Sequence, residues 1–312
     1  METKIRTIFM GTPEFAVPGL ERLLASPDFE VIGVYTQPDK PVGRKQALTP
    51  PPIKTVAVRA GLPVFQPEKI KPELENIQKL KPDLIVVIAY GKIIPQSILD
   101  VPQYGCVNVH ASLLPRYRGA ACLQAPILNG DTSAGITIMK MDAGMDTGPI
   151  LKQVKIALEG TENLQYLHDR LSQLGADNLI STLQAYCRGE IKAQAQDDSQ
   201  ATYVSLIKKE DGHLKPQKSA LELERQVRAC QPWPGTYLLL SNQKHLKILE
   251  VAIAETNKNR KIGEIYLEDG KLYLSCGQNS LHILKLQREN RTALQASDFL
   301  KGNSDIIGLI AS

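Results

Sequence analysis

Residues 84–90, LIVVIAY, form the longest strongly apolar stretch of the chain. Its first five residues carry no polar side chain, which is typical of a central strand covered on both faces of a parallel sheet. The stretch is far shorter than the ~20 residues that a helix needs to cross a bilayer. It therefore predicts the buried middle strand of an α/β sheet and no membrane span.

Other β-rich runs surround this strand in the first half of the chain, at residues 5–10, 31–36, 106–109 and 136–141. Helical patterns alternate with them at 14–25, 52–60, 71–80 and 119–129. This alternation is typical of βαβ units and of a doubly wound, mainly parallel sheet, whose ligands bind at the carboxyl ends of the strands. Because no GxGxxG or GxxxxGK[ST] motif occurs there, dinucleotide and NTP binding are disfavoured.

The second half of the chain has a different pattern. A long helix is predicted at 162–187, a polar Gln- and Asp-rich segment follows at 193–200, and a short helix is predicted at 219–229. Five short β-rich runs come next, at 236–240, 246–251, 263–266, 272–276 and 281–286, and they predict a small OB-like β-barrel. A chain of 312 residues also exceeds the usual size of one core. We predict a catalytic domain at 1–190, a linker at 191–204 and a second domain at 205–312.

Composition narrows the class of protein. The chain is 43% hydrophobic and 22% charged, as is typical of globular proteins. Five cysteines without a CxxC pair argue against a disulfide framework and a zinc site, and the N-terminus lacks a signal peptide, so we predict a cytoplasmic location. The net charge of +4 falls entirely within 205–312. This excess is compatible with a polyanionic partner, although charge alone favours a mixed, solvated surface.

The segment 106–124, CVNVHASLLPRYRGAACLQ, carries the densest set of chemical groups. Strand alternation places Asn108 and His110 on one face at the end of a strand. An amide and an imidazole at that point suit a carbonyl that becomes an oxyanion, since both groups can donate hydrogen bonds to it. A histidine on a strand can also be purely structural, and its spacing alone does not decide between the two roles.

A second segment, MDAGMDTGP at 141–149, places Asp146 in a glycine-rich turn. A carboxylate near His110 would favour the charged imidazolium and fix its orientation; the alternative role of Asp146 is to cap the turn. There is no GxSxG motif and no cysteine beside a base at a strand end, which argues against a covalent nucleophile. The pattern favours direct acyl transfer.

The order of five motifs resembles the methionyl-tRNA formyltransferase family: GTPEFAVP (11–18), YTQPDKPVGRK (35–45), NVHASLLPRYRGAA (108–121), MDAGMDTG (141–148) and PWPG (232–235). The resemblance implies a Rossmann-like formyltransferase domain followed by an OB-like, tRNA-binding domain. It also implies transfer of the formyl group of 10-formyltetrahydrofolate to the α-amino group of methionine on initiator methionyl-tRNA, through a tetrahedral oxyanion, for translation initiation.

The same resemblance implies roles for individual residues. Asn108, His110 and Asp146 match the family's catalytic residues. The folate-contacting motif falls on Ser112, Leu113, Leu114 and Pro115, and the tRNA-contacting insertion at 37–50 contains Lys40, Arg44 and Lys45. The folate is implied to be a diffusible cosubstrate, with no metal, and we expect the protein to be a monomer.

Three departures from the family pattern stand out: Ala111 where glycine is common, Cys122 where proline is common, and a shorter, less basic insertion reading GRKQAL. The nearest alternative function is formylation of an amino sugar on a nucleotide, but that reading should lack MDAGMDTG and the Arg44 insertion. A purine-pathway formyltransferase would leave the second domain unexplained. A non-catalytic RNA- or folate-binding module would not need Asn108, His110 and Asp146 together.

Overall fold

The computed structural model describes residues 4–43, 46–255 and 260–312. The chain separates into two compact units. The first contains Met1–Cys122, Ser133–Ala157 and His168–Val204, and the second contains Leu123–Thr132, Leu158–Leu167 and Ser205–Ser312. The segment 191–204, which we predicted as a linker, lies in the first unit, and our three-part division stays a prediction. No helix in the described part of the chain is long and apolar enough to cross a membrane.

The strands of the first unit are, in chain order, β1 (Ile5–Gly11), β2 (Phe29–Tyr35), β3 (Lys40–Val42), β4 (Ala47–Thr49), β5 (Val64–Phe65), β6 (Leu84–Ile88), β7 (Cys106–His110), β8 (Arg118–Gly119), β9 (Ser133–Lys140), β10 (Ile150–Ala157) and β11 (Tyr203–Val204). Seven of them form one sheet in the order β10-β9-β7-β6-β1-β2-β5. Strand β6 is buried along its whole length, as predicted from its apolar sequence.

Most of this sheet is parallel, but β9 runs antiparallel to β7, and β10 runs antiparallel to β9. We did not predict β10, whose polar and apolar residues alternate only over residues 153–156, although its exposure alternates from Lys152 onward. The two remaining strand pairs, β3–β4 and β8–β11, are short ribbons outside the sheet. The helices are α1 (Val17–Ala25), α2 (Pro52–Arg59), α3 (Leu74–Leu80), α4 (Gln96–Leu99) and α6 (Leu164–Cys187), the last of which begins in the second unit.

The second unit contains α5 (Gln124–Asn129), α7 (Ala220–Cys230), α8 (Ala296–Leu300), β12 (Thr236–Leu239), β13 (His245–Ala254), β14 (Ile265–Glu268), β15 (Lys271–Ser275), β16 (Ser280–Arg288) and β17 (Leu294–Gln295). Its sheet is antiparallel, in the order β12-β13-β16-β15-β14, with β17 on β16. The predicted fold class is therefore confirmed: a Rossmann-like α/β unit followed by a unit of antiparallel strands. The helix predicted at 119–129 starts later, because Arg118 and Gly119 form β8 instead.

Candidate active site

The end of strand β7 carries the first two predicted catalytic residues. Asn108 lies opposite Met139 of β9 and beside Val87 of β6, and His110 lies opposite Thr137. The Asn108 side chain is half-buried, and no described residue hydrogen-bonds to its amide. Because Asn108 and His110 are two residues apart in a strand, they share a face of the sheet. A free amide donor and an imidazole therefore lie at the same strand end.

The His110 imidazole has a polar group near each ring nitrogen. Its side chain is only 7% exposed, and Nε2 lies 3.0 Å from the Tyr117 carbonyl oxygen. A carbonyl oxygen only accepts hydrogen bonds, so Nε2 must carry a proton and donate it. Nδ1 lies 3.7 Å from Oδ2 of Asp146, which is too long for a hydrogen bond but short enough for a strong charge interaction. His110 and Asp146 therefore come together as predicted, as an ion pair.

Asp146 is positioned by the backbone around it. Its φ of 55° is in the left-handed region, which asparagine and aspartate tolerate better than most residues. The Gly119 N–H donates to Oδ2 of Asp146 at 2.8 Å, so the same carboxylate oxygen faces a backbone donor and the His110 ring. This donor fixes the carboxylate beside the imidazole. The same hydrogen bond means that Asp146 supplies a charge beside His110 and also fixes the backbone at Gly119.

The surroundings of His110 favour its charged form. Burial lowers the pKa of the imidazole, whereas the Cys122 sulfur, the Asp146 carboxylate and the Tyr117 carbonyl raise it, and the resulting pKa is about 9 instead of 6.5. At neutral pH His110 is therefore an imidazolium. A cation with an N–H at this point can donate a hydrogen bond to an oxygen that gains negative charge.

Cys122 is a neighbour of His110 that sequence reasoning did not assign to the site. We noted it only as a departure from the family pattern near the folate motif. The thiol is free and 9% exposed, and its sulfur is among the groups that raise the pKa of the His110 imidazole. A proline at this position could have no such effect. The departure therefore changes the groups around the imidazole of His110 itself.

The segment Ser112 to Pro115 follows the strand directly, and its polar groups are largely paired within the chain. The Ser112 hydroxyl donates to the Arg116 carbonyl at 2.7 Å, and the Leu114 N–H donates to Oγ1 of Thr137 at 3.1 Å. Nε2 of Gln153 donates to the Leu114 carbonyl at 2.7 Å. These bonds fix the shape of the loop. Thr137 and Gln153 carried no recognisable motif, and sequence reasoning missed them.

The three predicted tRNA-binding residues are only partly covered by the structure. Lys40 opens strand β3 and is exposed, and its strand pairs with β4 through Lys40 opposite Thr49. Arg44 and Lys45 lie outside the described residues. The predicted loop 37–50 therefore contains a short antiparallel ribbon, and an exposed lysine stands at the start of that ribbon.

The described residues contain no group of three or more His, Cys, Asp or Glu side chains placed to hold a metal ion. The chemical groups at the candidate site in the first unit are the His110 imidazole, the Asp146 carboxylate beside it and the Asn108 amide on the same face of β7. Together they can bind an oxygen that becomes negative and can accept or relay a proton. An acyl transfer requires both of these capacities.

Comparison with known proteins gives the family. A model described as formyl transferase matches residues 3–183, and a model described as formyl transferase, C-terminal domain, matches residues 206–304. The methionyl-tRNA formyltransferase of Geobacter sulfurreducens is 48% identical over 301 residues, which cover 96% of this chain and 94% of that protein.

Solved structures share the fold at low sequence identity. An N-formyltransferase from Helicobacter canadensis, solved with folinic acid and dTDP-3-aminofucose, matches with a TM-score of 0.64 at 19% identity over 89% of this chain and 99% of its own. HypX from Aquifex aeolicus, solved with tetrahydrofolic acid, matches with a TM-score of 0.62 at 15% identity over 96% of this chain, which spans only 48% of HypX. The two family models and the 48% identity together show that this chain belongs to the methionyl-tRNA formyltransferase family.

Proposed function

We propose that this protein transfers the formyl group of 10-formyltetrahydrofolate to the α-amino group of methionine on initiator methionyl-tRNA, for translation initiation. The observation that carries the proposal is the charge interaction between His110 and Asp146 in the first unit, with the imidazole held as a cation and Asn108 on the same strand. Membership of the family supports the choice of substrates. The folate, when bound, supplies the formyl group.

The unprotonated amine attacks the formyl carbon, and negative charge develops on the formyl oxygen. The bond between the formyl carbon and the folate nitrogen then breaks, and that nitrogen takes up one proton as tetrahydrofolate leaves, which balances the proton lost by the amine. The Asn108 amide donates one hydrogen bond to that oxygen, since no described residue occupies it. His110 donates a second from Nδ1, because Nε2 already donates to Tyr117. Removal of one such donor commonly costs about 10² to 10³ in rate, or ~2.7 to 4 kcal/mol of transition-state stabilisation.

Asp146 has two tasks in this scheme. Next to the larger effect of the Cys122 sulfur, its carboxylate helps to keep His110 protonated. It also orders a water molecule that takes the proton released by the attacking amine. A carboxylate that is 19% exposed and faces the imidazole at 3.7 Å is suited to both tasks. In this scheme His110 is the acidic group, which donates a hydrogen bond to the formyl oxygen, and Asp146 is the basic group, which helps to remove the amine proton.

Ser112, Leu113, Leu114 and Pro115 are proposed to hold the folate beside these groups. Because most of their polar groups are hydrogen-bonded within the chain, these residues form a rigid wall. We therefore expect the shape of this wall, more than free polar groups, to decide how the folate binds. We expect Leu113→Ala to raise KM for the folate several-fold and to leave KM for the tRNA unchanged. An equal rise in both KM values would contradict a folate-specific role.

Lys40, Arg44 and Lys45 are proposed to contact tRNA phosphates. Phosphate contacts contribute affinity that falls with salt, so Arg44→Ala should weaken tRNA use and flatten its salt dependence without changing the reaction of bound tRNA. Lys79→Ala is the matched control, since Lys79 is an exposed cation on α3. If Arg44→Ala follows the wild type across a salt series, the loop does not bind tRNA.

The basic excess in 205–312 supports a tRNA-binding role for the second unit as well.

The deciding experiment is a competition. Purified protein is mixed with 10-formyltetrahydrofolate and methionylated initiator tRNA, with methionylated elongator tRNA and a nucleotide-linked amino sugar as competitors. Formylation of the initiator tRNA alone is the expected result. Formylation of the sugar instead would replace the proposal with the alternative that the sequence left open.

The cytoplasmic location and the monomeric state stay predictions, which cell fractionation and light scattering test.

A further inference from the structure

The side chain of Gln196 uses its full hydrogen-bonding capacity next to the candidate catalytic loop. Nε2 donates to the carbonyl oxygen of Asp146 at 2.8 Å and to that of Gly148 at 2.7 Å. Oε1 accepts from Nε of Arg118 at 3.1 Å and from Nη2 at 2.8 Å. A glutamine amide has two N–H donors and an oxygen with two lone pairs, so all four are satisfied. Gln196 therefore joins Arg118 to the backbone of the loop that carries Asp146.

Arg118 makes a rigid support for this arrangement. Its side chain is 1% exposed, and it also donates to Oδ1 of Asp198 at 2.6 Å and to the Tyr203 hydroxyl at 3.0 Å. A buried guanidinium must keep its partners, because an unpaired buried charge is very costly. The partners of Arg118 thus fix the position of the Gln196 amide.

The backbone of Arg118 reaches the same aspartate by a second path. Strand β8 pairs in parallel with β11, with Arg118 opposite Tyr203. The next residue, Gly119, donates its N–H to the Asp146 carboxylate. Asp146 is consequently held at two points, at its carboxylate by Gly119 and at its carbonyl by Gln196.

Two features show why the loop needs such support. Asp146 has a left-handed backbone, a conformation that costs free energy and persists where neighbours hold it. The loop also passes so close to β9 that a Cβ on Gly148 would lie 1.8 Å from the Lys140 carbonyl oxygen. At its other end, Oδ1 of Asp142 accepts from the Thr147 hydroxyl at 2.6 Å. The carbonyls of Asp146 and Gly148 take their side-chain donor from outside the loop, and that donor is Gln196.

We propose that Gln196 is a positioning residue for the formyl transfer: clamped by the buried Arg118, it holds the Asp146 loop so that the carboxylate faces His110. This role rests on the function proposed above. It also has a consequence that can be observed in the absence of substrate. The titratable groups that face the His110 ring are Asp146 and Cys122, so a displaced Asp146 leaves the imidazolium with less stabilisation.

Two variants separate positioning from mere packing. Gln196→Ala removes all four hydrogen bonds. Gln196→Glu keeps an acceptor for Arg118 and so preserves the buried cation, but it loses both donors to the loop carbonyls. The control is Gln194→Ala, because the exposed Gln194 pairs with Ile150 through its backbone only.

The first readout is the pH titration of the His110 ring by NMR in the free protein, with melting temperatures recorded for every variant. We expect the midpoint of Gln196→Ala to fall by about 1 pH unit or more and that of Gln194→Ala to match the wild type. The second is the steady-state formylation of initiator methionyl-tRNA. Both Gln196 variants should lose ~10- to 100-fold in kcat with KM for the tRNA within about twofold of the wild type.

A folded Gln196→Glu protein with wild-type kcat would overturn the proposal, as would an unchanged His110 titration in a folded Gln196→Ala. If Gln196→Ala does not fold, Gln196→Glu alone decides. Absence of formyl transfer by the wild type would instead reject the proposed function, and the NMR titration would still report whether Gln196 holds Asp146.

Discussion

Replacement of Asp146 by asparagine tests the electrostatic core of the site. Asparagine has nearly the same shape, tolerates the left-handed backbone and can still accept from the Gly119 N–H, so the substitution removes the charge with little change in the loop. An opposite charge at such short range commonly changes a pKa by 1 to 3. With a decrease of about 2, the pKa of His110 falls from about 9 to roughly 7.

The magnitude follows from the protonated fraction of His110. At about pH 6 both proteins keep more than roughly 90% of the imidazolium, whereas at about pH 8 the wild type keeps about 90% and the variant about 10%. The ratio of variant to wild-type rate should therefore fall about tenfold between these two pH values. Loss of the Asp146 carboxylate as a base can lower this ratio further, but by the same factor at both pH values. The ratio is used because the titration of the substrate amine affects both proteins equally and cancels.

The assay is single-turnover formylation of initiator methionyl-tRNA at saturating enzyme, together with NMR titration of the His110 ring. Asp177→Asn is the control, since Asp177 is an exposed carboxylate on α6 that pairs with Arg22. A rate ratio that stays constant within twofold, or a His110 midpoint that does not move, would refute the view that Asp146 keeps the imidazole charged.

Three further outcomes are expected. Asn108→Ala should lower single-turnover transfer by about 10² to 10³ with the fold intact by circular dichroism, and a loss below tenfold would reject its role as oxyanion donor. Gly148→Ala should lower the free energy of unfolding by ~1 to 3 kcal/mol in urea, because its Cβ would overlap the Lys140 carbonyl, whereas Gly302→Ala, with open space around it, should change little. Folding raises the pKa of His110, so its protonation should stabilise the folded protein fully below about pH 6.5, and this stabilisation should be lost as the pH rises to about 9. Urea unfolding of the wild type and of His110→Gln at both ends of this pH range measures the contribution.

Much of the first unit was predictable because local patterns and tertiary packing agree there. A continuous apolar run such as β6 is stable only where both faces are covered, and alternation along β7 places Asn108 and His110 on one face in any sheet. Strand β10 was missed because it is an edge strand whose polar and apolar residues alternate over only four positions, 153–156. The helix at 119–129 was placed too early because Arg118 and Gly119 take their partners from β11, far along the chain.

Within the candidate site, sequence reasoning identified the groups that do chemistry and missed those that hold them. Gln196 lies in a polar segment whose composition is that of a linker, and composition says nothing about which polar side chains find partners. Likewise, Cys122 was noted only because it departs from a motif. Its contact with the His110 ring depends on how the chain returns after β8.

The amino-acid sequence by itself determined the main alternation of strands and helices, the family, and the three residue types at the proposed reacting centre, because these depend on periodicity and on motifs that are contiguous in the chain. Only the tertiary structure decided that the ring of His110 lies 3.7 Å from Asp146 and that Arg118 and Gln196 brace the aspartate. The physical reason is that a charge interaction depends on distance and burial, and residues 110, 146 and 196 acquire both only when the chain is folded.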